Sequence, residues 1–82
     1  MYEKAKYLIC GDSALNMEFG NEISEEINKK IRAVTTLIEG REISGINEIV
    51  PTYRSLMIHY NPLIIGYEEL VSILKEMEEN MD

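Results

Sequence analysis

The sequence predicts an α+β domain: a two-layer β-β-α-β-β-α sandwich in which a four-stranded antiparallel sheet carries two helices on one face. Three observations point to it. Two stretches, Ser13 to Phe19 and Ser55 to Tyr60, alternate apolar and polar residues with the period of two that marks a strand buried on one side. Two longer stretches, Ile23 to Ile38 and Tyr67 to Met81, repeat apolar residues at steps of three and four, the spacing of one helix face. Turn-forming residues separate these runs: Gly11-Asp12, Gly20-Asn21, Ser44-Gly45 and Asn61-Pro62. A chain of 82 residues makes one domain. At this size about 60% of the unfolded surface is buried, and the core supplies about 3–5 kcal/mol of net stability.

The elements follow in order. Lys6 to Cys10 is a short apolar strand, and Gly11-Asp12 joins it to Ser13–Phe19 as a two-residue hairpin turn of type II′, with Gly11 taking the positive φ. Ser24 caps the first helix, and Glu25 and Glu26 suit the positive end of its dipole. Ile23, Ile27, Ile31, Val34, Leu37 and Ile38 form its stripe, and Gly40 is placed to end it. Ile46 to Tyr53 is apolar but poorly periodic and contains Pro51, so it reads as an edge strand bulged at the proline. Arg54-Ser55 is a turn, and Leu56, Ile58 and Tyr60 then alternate with Ser55, Met57 and His59. In the last helix Tyr67, Leu70, Val71, Leu74, Met77 and Met81 face the core, while Glu68, Glu69, Glu76, Glu78 and Glu79 form a solvated face. A ferredoxin-like order would need a strand after this helix, and only Asn80, Met81 and Asp82 remain. The uncovered sheet face would carry Ala14, Asn16, Ser55, Met57 and His59, a mixed surface that suggests a cover by another domain or subunit.

Composition narrows the function. Eight Lys and Arg against 15 Asp and Glu give a net charge of −7, which repels a nucleic-acid backbone. No run approaches the ~18 apolar residues of a membrane span. Cys10 is the single cysteine, which excludes an internal disulfide, and with the single His59 it cannot build a four-ligand zinc site. The lone thiol and the lack of a signal-peptide pattern place the expected location in the cytoplasm.

Chemistry-bearing residues are few. Gly11-Asp12-Ser13-Ala14-Leu15 has the look of a serine-esterase nucleophile block, but such a serine needs a base and a group to orient it. His59 is the sole imidazole, and positions 55 to 58 offer no carboxylate. A hairpin turn accounts for the same block. Cys10 reads as a small core residue. Tyr53, Arg54, Ser55 and His59 are the candidates for a shared site or an interface, with roles of orientation and anion contact. No residue is assigned a catalytic, cofactor-binding or metal-binding role. No Gly-rich phosphate loop of the G-x-x-x-x-G-K-[ST] kind is present.

The order of blocks nevertheless resembles a known family. Gly11-Asp12-Ser13-Ala14-Leu15, Glu18-Phe19-Gly20, an amphipathic helix, Gly45 through Leu56, and His59-Tyr60-Asn61-Pro62 look like the N-terminal part of KipI/PxpB proteins, also described as allophanate hydrolase subunit 1 or carboxyltransferase subdomains C and D. The resemblance runs from about Tyr7 to Met81, and the Gly45–Pro62 block is its specific part. It implies a fold like that of the pterin-dehydratase cofactor and a second, cyclophilin-like β domain that these 82 residues lack. It further implies PxpC-like and PxpA-like partner subunits in an ATP-dependent 5-oxoprolinase that converts 5-oxoproline to glutamate. ATP belongs to that full complex, and no cofactor is expected in this chain. Related domains take part in carboxyl transfer in urea carboxylase. Two other roles share the domain: a KipI-like inhibitor of a sporulation histidine kinase, and a free-standing interaction domain. A homodimer through the open sheet face and the edge near Pro51 is the expected substitute for missing partners. The chain departs from family habit at Asn61, where an aspartate is common before the proline.

Overall fold

The computed structural model describes residues 2–80. The elements run β1 (Lys6–Ile9), β2 (Ala14–Glu18), α1 (Glu25–Arg41), β3 (Ile46–Pro51), β4 (Ser55–Tyr60) and α2 (Tyr67–Glu79). The strands form one four-stranded antiparallel sheet in the order β1-β2-β4-β3. Leu15, Met17 and Phe19 from the β2 run and Leu56, Ile58 and Tyr60 from β4 share a buried cluster with Ile27, Ile31, Val34 and Ile38 of α1 and Leu70, Leu74 and Met77 of α2. Alternation within each strand puts these residues on one side of the sheet, so both helices cover that side.

Several local details differ from the sequence reading, each for a physical reason. The β1–β2 register pairs Ile9 with Leu15, and the Cys10 amide reaches the Ala14 carbonyl at 2.9 Å, so the turn spans Gly11, Asp12 and Ser13 rather than two residues. Gly11 still supplies a positive φ, +82°. Helix α1 runs through Gly40 and ends at Glu42, which takes the left-handed conformation (φ 50°, ψ 53°) assigned above to the glycine. Ser24 caps α1 as expected, its Oγ accepting from the Ile27 amide at 3.1 Å. Ile23 and Leu37 fall at the margins of the α1 stripe and are exposed, at 75% and 41%. Cys10 is half-buried at the end of β1 and stands outside the core. Ser55 opens β4 rather than forming the turn, which is Tyr53-Arg54. Met81, assigned to the last helix above, lies outside the described residues.

Strand β3 is an edge, but its bulge is not at the proline. Ile46 pairs with Tyr60 and Glu48 with His59, which leaves Asn47 as the extra residue. The bulge lets Ile46 and Ile49, three positions apart, both pack on the core, and this accounts for the poor periodicity of the segment. Pro51 needs no such relief. Thr52 and Ser55 form the hydrogen-bonded pair, with the Thr52 amide 2.8 Å from the Ser55 carbonyl, so Pro51 opposite Leu56 falls where no ladder donor is required.

The largest departure is Glu78. Placed above on a solvated face, it is instead nearly buried, with 10% of its side chain exposed. Its Oε2 accepts from the Ala5 amide at 2.8 Å and from Lys30 Nζ at 3.0 Å, and its Oε1 accepts from the Tyr7 hydroxyl at 3.3 Å. One carboxylate thus joins the N-terminal segment, β1, α1 and α2.

Candidate functional site

Strand β4 and the hairpin tip before it position every predicted site residue, and they place them at opposite ends of the sheet. Tyr53 and Arg54 form the tip of the β3–β4 hairpin, both exposed, Tyr53 at 70%. Ser55 follows and is buried. His59 lies four residues further along β4, about 13 Å away at the ~3.3 Å rise of a strand. Tyr53, Arg54 and Ser55 are therefore neighbours, and His59 is not one of their group.

The hairpin end is built by hydroxyls. Thr52 Oγ1 lies 2.7 Å from Ser55 Oγ and accepts from the Ser55 amide at 3.1 Å. The Ser55 hydroxyl is thus engaged in closing the turn. The Arg54 carbonyl accepts from the Phe19 amide at 2.9 Å, which docks the tip on the end of β2. Beside it, Asn21, Glu22, Ile23, Tyr53 and Arg54 line an open hollow of about 390 Å³. Its lining thus combines a guanidinium, a phenol, an apolar side chain and the Glu22 carboxylate.

The other end gathers the family-like blocks. The Tyr60 amide donates to the Ser13 carbonyl at 2.9 Å, and the Asn61 amide to the Gly45 carbonyl at 2.7 Å. The Gly11–Leu15 and His59–Pro62 blocks therefore meet, together with the start of β3. Gly45 is required here: its φ is +104°, and a Cβ would lie 2.6 Å from Ile65 Cγ2. Asn61 Oδ1 accepts from the Leu63 amide at 3.0 Å, a turn-closing role that an aspartate performs equally well. The departure at position 61 therefore removes no carboxylate needed for the fold. Tyr60 is buried, and burial first, then Tyr67 and the Asp12 carboxylate, hold its hydroxyl above the usual phenol range. The sequence reading missed Asp12 and Tyr60 as members of this cluster. The signal for them was present in the two family-like blocks, but only the sheet order shows that the blocks adjoin.

No acyl-transfer machinery assembles from these residues. His59 pairs with Ala14 and Glu48 in the sheet, and its ring makes no hydrogen bond to a described residue. Among the described residues no three of His, Cys, Asp or Glu are grouped to hold a metal ion. The helix N-termini do not suit nucleotide phosphates either, since α1 presents Glu25 and Glu26 and α2 presents Glu68 and Glu69 in their first turns. Among the described residues no helix is long and apolar enough to cross a membrane.

The uncovered sheet face has a consistent design. Leu8, Asn16, Met57 and Val50 form one row across the strands, with Lys6, Glu18 and Ser55 on one side and Ala14, His59 and Glu48 on the other. Asn16 Nδ2 donates to Glu18 at 3.3 Å, while its Oδ1 is buried without a donor among the described residues.

Comparison with known proteins supplies what the geometry alone does not. The chain is 37% identical over 51 residues to a 5-oxoprolinase subunit of Bacillus subtilis (strain 168), an alignment covering 62% of this chain and 21% of that protein. Among solved structures, a conserved uncharacterized protein from Pyrococcus horikoshii is 40% identical with a TM-score of 0.84, over 90% of this chain and 34% of that one. The chain thus spans about a fifth of the curated relative and a third of the Pyrococcus protein. The N-terminal domain of the histidine kinase inhibitor KipI from Bacillus subtilis shares the fold, with a TM-score of 0.70 and 23% identity over 96% of this chain and 95% of that one. The family profile described as carboxyltransferase domain, subdomain C and D, matches residues 5–82, which takes in the whole sheet-and-helix unit, and the chain belongs to that family.

Proposed function

We propose that the chain is an N-terminal structural and assembly subdomain of a subunit of an ATP-dependent 5-oxoprolinase acting in the cytoplasm. The observation that carries this reading is the 37% identity with the 5-oxoprolinase subunit of Bacillus subtilis. The role is assembly because the described residues offer surfaces rather than a bond-breaking centre. The open sheet face, with Leu8, Met57 and Val50 around an Asn16 oxygen that lacks a donor, suits a cover by a cyclophilin-like domain of the same polypeptide. The Tyr53–Arg54 tip suits contact with PxpC-like or PxpA-like subunits. ATP is bound in this scheme by the partners, consistent with glutamates at both helix N-termini.

The test is reconstitution. The full subunit with its PxpA-like and PxpC-like partners is expected to hydrolyse ATP in response to 5-oxoproline. Deleting the 82-residue unit should abolish both assembly and turnover, and Arg54→Ala should weaken assembly. His59→Ala separates an orienting role in a composite site, where turnover falls within an intact complex, from none. Turnover by the 82-residue chain alone would overturn the assembly reading. Full turnover without the unit, coupled with inhibition of histidine-kinase autophosphorylation by the chain, would replace it with a KipI-like regulator.

A further inference from the structure

The two edges of the sheet are treated differently. Edge β3 is blunted by the bulge at Asn47, by Glu48 and by Pro51, devices that discourage pairing with another chain. Edge β1 has neither bulge nor proline; its one charged residue, Lys6, lies at its first position, and beyond it the strand exposes Leu8 at 47% and Ile9 at 66%. Its backbone direction is fixed by the hydrogen bond from the Cys10 amide to Ala14. By alternation, Leu8 and Lys6 bond to β2, whereas Ala5, Tyr7 and Ile9 turn their backbone groups outward. Two contacts from α2 agree with this direction: Glu78 takes the Ala5 amide, and the Tyr67 hydroxyl donates to the Tyr7 carbonyl at 3.3 Å. The Tyr7 amide and both backbone groups of Ile9 remain without a partner among the described residues, and the Tyr7 carbonyl retains a second lone pair.

We propose that β1 pairs antiparallel with β1 of a second copy of this chain, about a two-fold axis at Leu8. Chemistry selects both the occupant and the register. The chain carries a net charge of −7, so most surfaces of two copies repel. Along residues 2–12 the charges of Glu3, Lys4, Lys6 and Asp12 cancel, so this edge can meet itself without that penalty. With Leu8 opposite Leu8 of the second copy, Tyr7 faces Ile9 of the second copy, and the outward groups of both are in register to exchange hydrogen bonds. The same register sets Leu8 on Leu8 across the open face and Ile9 on Tyr7 beneath it, both apolar cross-strand pairs. It also brings Lys4 toward Asp12 of the second copy. The contact is small, so a weak, concentration-dependent dimer is expected.

Sedimentation of the 82-residue chain over a series reaching millimolar concentration should show mass rising from 9.5 kDa toward twice that value. Ile9→Lys places a charge at an exposed edge position. It should hold the chain monomeric with an unchanged melting temperature, whereas Val50→Lys on the open face should leave dimerisation intact. Leu8→Cys in a Cys10→Ser background tests the register. Residues opposite each other at a non-hydrogen-bonded pair lie about 4.5 Å apart at Cα, within the ~4.4–6.8 Å that a disulfide spans, so mild oxidation should give a covalent dimer. A monomer at every concentration, a dimer that survives Ile9→Lys, or a dimer that Leu8→Cys cannot cross-link would each overturn the proposal.

Discussion

The Tyr7 phenol sits under influences that all resist its ionisation. Burial is the first, the Glu78 carboxylate beside it the second, and its hydrogen bond to that carboxylate the third, so its folded-state value lies well above the ordinary 10.0. A raised value favours the neutral phenol in the folded chain. The associated stability is therefore fully present below pH 10.0 and is lost as pH climbs toward the folded-state value. Urea midpoints measured from pH 8 upward should stay level with respect to this group until about the ordinary tyrosine range and then decline. Tyr7→Phe should flatten part of that decline, with the buried Tyr60 supplying another part. An alkaline profile identical in the Tyr7→Phe chain would show that Glu78 does not face the phenol in solution. The periodicity of the last helix could not reveal this knot. Glu78 lies one position beyond Met77 in sequence, and only the approach of Ala5, Tyr7 and Lys30 from distant parts of the chain turns a solvent-facing carboxylate inward.

At the scale of the element, the end of α1 offers a sharp test. Gly40 lies inside the helix and an added Cβ there would meet nothing within 4 Å, while Glu42 holds the left-handed position. Gly40→Ala should therefore stabilise the chain by about 1 kcal/mol, the helix-interior cost of glycine. Glu42→Gly should also stabilise it, by about 0.5–1 kcal/mol, through relief of the left-handed conformation. Were Gly40 the cap, the first change would destabilise instead, and thermal melts of the two variants distinguish the cases. The elements themselves were legible. Strands β2 and β4 and both helices announce themselves by period because each buries one face. The errors lie where tertiary contacts decide: the two-residue slip at the end of α1, and the bulge at Asn47, which sequence reasoning assigned to Pro51 because a missing donor is visible in a sequence and a register shift is not. The candidate site was legible only in part. Tyr53, Arg54 and Ser55 adjoin because they are consecutive in the chain, whereas His59 shares a strand with Ser55 and not a location.

For the whole molecule, one core carries the stability. Ile31 and Leu74 come from different helices and are both fully buried against the β2 and β4 side chains. Ile31→Ala or Leu74→Ala should each cost about 2–5 kcal/mol, which matches the ~3–5 kcal/mol available to a domain of this size. Leu37→Ala, at a margin position, should change stability by about 0.5 kcal/mol or less. Circular dichroism and urea titration should find the first two unfolded or close to it and the third native; equal behaviour of all three would remove the shared core. Cohesion of this kind makes the unit transferable, and the Glu78 knot shows how it can be carried. The hydrogen bond from Ala5 to Glu78 joins positions 73 apart in sequence, so the polypeptide enters and leaves the domain at nearly one point. A host protein can receive such a unit much as it receives a long loop, with little span to bridge and no rearrangement of its own strands. That geometry suits a fold that fills 95% of the KipI N-terminal domain yet occupies only 34% of the Pyrococcus chain.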